Sequence, residues 1–378
     1  MRITDVRAYP TSFPIPPANR VALGIGTAVK RDAVLVKVST DEGIHGWGEA
    51  HHGRAHTAVA KLIETTLKQL VVGMDPREVV SVWERMYRFQ LASHGMGAGA
   101  CLAMSGIDMA LWDIRGKALG LPLYQLLGGT RKGIPAYAGG VSLGYQPPGQ
   151  LIEEAAKSLA QGYRAVKLRV GDAPARDIER LRAVRAAYPE TVLLTDANIG
   201  YRVEEVRQVM PVLDELGIGW LEEPFPAHDH RSYREAKSFG RTPLAAGENH
   251  YTRFEFNRVI EDGAITILQP DLSKSGGITE VLRIAAAASA WKLPVHPHSS
   301  MTGVNHAATI HFLAAVDNGG YFEGDVSRSN KFRDELVENP GRIDAEGNVW
   351  PLERPGIGVE VDEDFLLQHP PIEGPGYL

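Results

Sequence analysis

The stretch "GWLEEPFP", Gly219 to Pro226, is an apolar run that reads as a buried strand yet ends in two adjacent carboxylates and a proline. A carboxylate there is costly unless it is paired, hydrogen-bonded or placed on a metal. The same pattern recurs on both sides of it. From Ile134 onward, short apolar runs alternate with amphipathic segments, at 134–141, 165–170, 192–198, 220–225, 244–249, 265–271, 293–298 and 321–325. Eight strands on a βα rhythm predict an α/β fold with a parallel barrel. A doubly wound sheet shares the rhythm, but no G-x-G-x-x-G follows an early strand to support dinucleotide binding.

Seven of these strands carry a polar or ionisable residue towards the C-terminal end: Lys167, Asp196, Glu222, Glu248, Asp271, His298 and Glu323. In a parallel barrel all strand C-termini open onto one face, so these side chains converge there. Any one of them alone reads equally as a helix N-cap or half of a surface ion pair. Seven in phase point to a shared site, with Glu222 as one member.

Asp196, Glu222 and Glu248 come from consecutive strands and offer only oxygen donors. That set suits Mg²⁺, or Mn²⁺, one ion per site. Glu223 and Asn198 are then candidates to orient those ligands, although Glu223 also reads as a solvated ion pair. Asp271 and His298 lie on neighbouring strands. A carboxylate on one imidazole nitrogen fixes the tautomer and raises the basicity of the other, giving a general base near neutral pH. Phase with Asp271 favours His298 over His296. Lys167 and Arg169 in "VKLRV" point to the same side of their strand. Facing inward they suit a substrate carboxylate and an enolate; facing outward they are surface charges.

The chain has 378 residues, 40 basic and 46 acidic, for a formal charge of −6. It has room for two domains or one large barrel with an attachment. No Lys/Arg-rich tract or basic stripe is present, which argues against nucleic acid as a partner. No apolar run approaches the roughly 18 residues of a membrane span, and "MRITDVRAYP" lacks the pattern of a signal peptide. With Cys101 alone no intrachain disulfide forms, as expected of a cytoplasmic protein.

The part before the barrel mixes element types. "AVLVKVST" (33–40) and "IHGWGEA" (44–50) flank "DEG" (41–43) as a hairpin, and "GACLAMSGIDMALWDIRGKALG" (99–120) reads as an amphipathic helix. After residue 325 the rhythm stops, and "PGIGVEVDEDF" (355–365) reads as a strand returning to pack on the first part. Residues 1–128 are thus expected to form an α+β capping domain, 129–325 the barrel, and 326–378 a segment returning to the cap.

Taken in order, "AMSGIDMALWDIRGKALGLPLYQLLGG", "AVKLRV", "TDAN", "EEP", "GEN", "QPDLSKSGGIT", "VHPHSS" and "YFEGD" resemble the enolase superfamily, within it the mandelate racemase group. The resemblance covers nearly the whole chain. It implies a modified (β/α)₇β TIM-like barrel under an α+β cap, Mg²⁺ held by Asp196, Glu222 and Glu248, and abstraction of the proton α to a substrate carboxylate. Lys167 and a hydrogen bond from Glu323 would stabilise the enolate, with His298 and Asp271 as the base. Where racemases of the group carry K-x-K, this chain has K-x-R, and Arg169 is very hard to deprotonate. One base predicts β-elimination of water from an acid sugar, an aldonate or aldarate, to a 2-keto-3-deoxy acid. The alternatives are an epimerase, racemase or cycloisomerase and, outside enzymes, an inactive sugar-acid-binding barrel. Buried charges without a function are costly, which argues against the last. Loops 11–32 and 49–56 are expected to close over the mouth, offering Arg20, His51 and Arg54 to the substrate, or carrying them as solvated charges. A homo-oligomer is expected.

Overall fold

The computed structural model describes residues 1–299 and 301–378. Lys30–Thr40 and His45–Ala50 form the expected hairpin, in register from Val34 opposite Ala50 to Ser39 opposite His45. Ile3–Pro14 adds a third antiparallel strand against Lys30–Thr40. The helix expected over 99–120 runs from Ala98 to Leu119, but it shows no single apolar face. Every residue from Ala100 to Ile114 is buried, because the helix lies between the cap sheet and the barrel. On the sheet side, a Cβ on Gly48 would collide with backbone atoms of Gly106 and Ala110. On the barrel side, Trp112 Nε1 donates to Thr279 Oγ1 at 2.9 Å, and Asp108 and Ser105 accept from the N–H groups of Thr279 and Gly276. The cap is thereby bonded to the loop that follows the sixth barrel strand.

The barrel strands are Ile134–Gly139, Ala165–Arg169, Val192–Asp196, Leu221–Glu222, Leu244–Ala246, Ile265–Leu268 and Phe322–Asp325. They pair in parallel in chain order, and the last pairs with the first, Phe322 opposite Ala136. The expected seventh strand, 293–298, is a single parallel bridge residue, Val295, touching Leu268 and Gly319. Pro294 and Pro297 remove the donors a ladder needs. Seven helices alternate with these strands, from Pro148–Ala160 to Gly303–Ala315, completing a (β/α)₇β barrel under an α+β cap.

The interior is filled by Tyr137, Ala165, Leu194, Trp220, Ala245 and Ile267, one from each of the first six strand positions, with Tyr321 against them. Side chains alternate along a strand, so two residues further on each strand points into the same lumen. That step leads from Ala165 to Lys167, from Leu194 to Asp196, from Trp220 to Glu222 and from Tyr321 to Glu323. A polar ring therefore sits directly on an apolar plug. His296 belongs to the plug: it accepts from the Tyr321 N–H at 2.9 Å, and burial lowers its pKa to about 4.

The expected strand at 355–365 is not formed. Gly356 and Gly358 take positive φ of 72° and 79°, which breaks an extended run, and residues Glu363–Gln368 are helical. The segment still packs on the cap, with the Ile357 N–H donating to Asp113 Oδ1 at 2.8 Å.

Gly48→Ala is expected to cost about 1–3 kcal/mol, because the added methyl forces helix and sheet apart. Gly149→Ala, in a helix with nothing within 4 Å of the new Cβ, is neutral or stabilising by up to about 1 kcal/mol. Denaturant midpoints of the two variants check this; equal midpoints contradict the packing argument.

Candidate active site

Lys167, 1% exposed, sits at the centre of the ring. Its Nζ lies 2.8 Å from Glu222 Oε1, 3.0 Å from Glu323 Oε1 and 3.5 Å from Asp196 Oδ2. Glu222 Oε2 also accepts from Gln269 Nε2 at 2.7 Å and Trp220 Nε1 at 3.1 Å. Arg169 also faces inward. It pairs with Asp196, bonds the Gly140 carbonyl, and donates to Asn198 Oδ1 at 3.0 Å. Burial opposes its charge, but Asp196, Glu323 and Glu222 hold its pKa above the usual arginine value. Arg169 is a fixed cation.

Glu323 closes the ring from the last strand. Burial raises its pKa, yet Lys167, His298 and Arg169 outweigh burial and bring it down to about 2. It accepts N–H bonds from Gly140 at 3.2 Å and Ser299 at 3.1 Å. Its Oε1 anchors Lys167 at 3.0 Å. Glu222 goes the other way: burial and the charge of Asp196 push it up to about 7.

On the opposite side, His298 Nδ1 lies 2.6 Å from Asp271 Oδ2, and its Nε2 lies 3.0 Å from Glu248 Oε2. Asp271 Oδ1 accepts from the Ser273 N–H and hydroxyl, both at 2.7 Å, and from Asn305 Nδ2 at 3.1 Å. Burial opposes the imidazolium, but Glu248 and Asp271 hold His298 well above the usual histidine value. Glu223, whose pKa is raised by burial and then by Glu248, accepts from Asn249 Nδ2 at 3.1 and 2.8 Å.

Among the described residues, no group of three or more His, Cys, Asp or Glu side chains is set to hold a metal ion. Asp196, Glu222 and Glu248 share the mouth but are turned to Arg169, Lys167 and His298. The donor chemistry still fits a hard divalent cation. Asp196, Glu222, Glu223, Glu248, Asp271 and Glu323 outnumber the permanent cations Lys167, Arg169 and Lys274 around the mouth.

Lys167, Arg169, Asp196, Asn198, Glu248, His298, Glu323, His51 and Arg54 all line one cavity of about 460 Å³, with Glu222 and Asp271 behind its wall. Arg20 does not line it. It is exposed and bonds back to its own loop at the Ile15 carbonyl, 3.4 Å away. Leu23 and Ile25 line the same cavity, and Gly24 lets their loop approach: a Cβ there would collide with the Ala197 carbonyl oxygen and lie 2.8 Å from that of Asn198. Asn198 and Glu223 hold left-handed backbone, φ 42° and 37°, a strain found where a site dictates geometry.

Sequence reasoning missed four residues here. Gln269 was reachable, being two residues beyond Ile267 on the inward face. Lys274, 3.2 Å from Asn249 Oδ1, and Asn249 itself lie in loops where no period operates. Tyr377 arrives from the end of the chain, where Thr27 and Leu378 exchange backbone bonds of 2.7 and 3.0 Å, and the Arg54 guanidinium lies 5.0 Å from its ring.

Two family models match: "Mandelate racemase / muconate lactonizing enzyme, N-terminal domain" over residues 6–128, and "Enolase C-terminal domain-like" over 150–365. The chain is 36% identical to a D-galactonate dehydratase from Variovorax paradoxus, over 88% of this chain and 90% of that protein. It is 32% identical to an arabinonate dehydratase from Saccharolobus solfataricus, over 97% and 99%. A solved enolase-superfamily member from Polaromonas sp. JS666 superposes with TM-score 0.97 at 53% identity, covering 100% of both chains. A racemase from Streptomyces coelicolor, solved with bound magnesium, superposes with TM-score 0.88 at 28% identity, over 97% and 99%. With both models matched in order, and the ring of strand-end residues on one barrel face, the chain belongs to the mandelate racemase group of the enolase superfamily.

Proposed function

We propose that the protein is a Mg²⁺-dependent acid-sugar dehydratase, removing water from an aldonate or aldarate to give a 2-keto-3-deoxy acid. The observation that carries this reading is the inequality of the two sides of the mouth. One side holds His298 hydrogen-bonded to Asp271; the other holds Arg169, locked as a cation on Asp196 and Gly140. The dehydratase relatives support the reaction class, and the magnesium-bound racemase supports the ion.

Asp196, Glu222 and Glu248 would hold the ion. When bound, it supplies positive charge against the substrate carboxylate as the α-carbon loses its proton. Lys167 and Arg169 bring further fixed charge to the same place, where preorganised charge is worth most. His298 takes the α-proton at Nε2 while Asp271 keeps Nδ1–H in place. The imidazolium then passes a proton to the leaving β-hydroxyl, which departs as water and leaves a C2=C3 enol; C3 takes a proton from solvent as the C2 hydroxyl loses its own, giving the 2-keto-3-deoxy acid. Glu323, kept ionised, holds Lys167 in position. Racemisation needs a second base on the opposite face, and a guanidinium does not serve.

His298→Asn is expected to lower kcat by about 10²–10⁴-fold and to stop exchange of the substrate α-hydrogen with deuterium. Exchange that survives in His298→Asn and vanishes on adding Arg169→Met would make Arg169 a base and return epimerisation as the leading reading.

Turnover is expected to rise with pH on the acid side. The base must be neutral, and the bond from Asp271 still favours the imidazolium when Glu248 is turned to the ion, so activity is lost as pH falls through the pKa of His298. Exhaustive chelation, or Glu248→Gln, is expected to abolish keto-acid formation across an acid-sugar panel. Full activity after either treatment contradicts the metal assignment.

A further inference from the structure

Glu49 takes no part in the chemistry above, yet it is fully buried at the end of the third cap strand. Its Oε2 accepts the hydroxyl of Thr302 and the Thr302 N–H at 3.2 Å. Thr302 in turn caps the helix Gly303–Ala315, its Oγ1 accepting from the Val304 N–H at 3.1 Å. In the first turn of that helix, Asn305 Nδ2 donates to Asp271 Oδ1 at 3.1 Å, and the other oxygen of Asp271 meets His298. A second tether runs from the same stretch of cap. The His51 N–H donates to the Ser273 carbonyl at 3.0 Å, and Ser273 binds Asp271 twice.

We propose that Glu49 is a positioning residue for the base: it pins the helix turn bearing Thr302 and Asn305, which sets Asp271 and, through it, the ring of His298. This rests on the reading of His298 as the base. A purely apolar packing role does not call for a polar side chain at this position. Oε1 of Glu49 has no hydrogen-bond partner among the described residues, and an unmet buried polar atom is costly. Burial, with the charge of Asp271 behind it, pushes the group up to about 8 against the bonds from Thr302 and the Asn305 backbone, which favours the neutral acid. Glutamine therefore reproduces its charge and shape; alanine removes the pin.

The test compares Glu49→Ala and Glu49→Gln with the wild-type full chain in Mg²⁺. The first readout is the downfield proton resonance of the His298 Nδ1–H bonded to Asp271, assigned by its loss in His298→Asn. The second is the split between kcat and KM. In Glu49→Ala the resonance is expected to shift or broaden and kcat to fall about tenfold or more, with KM within about threefold; Glu49→Gln restores both. If Glu49→Ala does not fold, Thr302→Val, which removes the hydroxyl link, is read the same way. An unchanged resonance in a folded variant overturns the proposal whatever the activity. A resonance that responds while no acid sugar is turned over by the wild type sinks the dehydratase reading and leaves the positioning role standing.

Discussion

Lys167, buried between Glu222, Glu323 and Asp196, is the contact around which the barrel mouth is arranged. A charge in that position is tolerable only with its partners, since removing one side of a buried ion pair costs about 3–5 kcal/mol. The consequences spread outward. Glu323 stays ionised because Lys167, His298 and Arg169 face it, and Arg169 stays charged because Asp196 does. Around Lys167 the mouth thus holds Arg169 and Glu323 as fixed charges. Proton exchange is left to the outer side, where His298 stands between Asp271 and Glu248. That division is what separates removal of one proton from one face from transfer between two faces.

Much of this was legible in the sequence for a simple geometric reason. Strand side chains alternate, so an apolar plug residue predicts a lumen-facing residue two positions later, and the parallel arrangement brings every such residue to one end. Lys167, Asp196, Glu222 and Glu323 follow that rule, and Gln269 would have followed it too. What the pattern does not encode is how far each ladder runs. The fourth strand is only Leu221–Glu222, and the seventh is reduced to Val295 by its flanking prolines. Charge states were hidden as well. An acid among acids reads as raised, but Glu323 is lowered because cations reach it from the second and seventh strand positions.

Contacts between distant segments were the least legible. Nothing local in 355–365 says that two left-handed glycines will replace a strand with a turn, and nothing near Tyr377 says that it will join the wall of the cavity. The same holds for the cap. Its long helix looked amphipathic and proves to be buried all round, because its second face is bonded to the loop of Gly276 and Thr279. That loop begins just after Asp271, so cap and base share one stretch of chain.

The central claim is that the mouth holds one base opposite one fixed cation. The most direct measurement is to run the wild-type protein on acid sugars in deuterium oxide and follow both product and recovered substrate by proton NMR. The account predicts a 2-keto-3-deoxy acid carrying deuterium at C3, with the unreacted substrate keeping its configuration at C2. Accumulation of the C2 epimer, deuterated at that carbon and without loss of water, would contradict it.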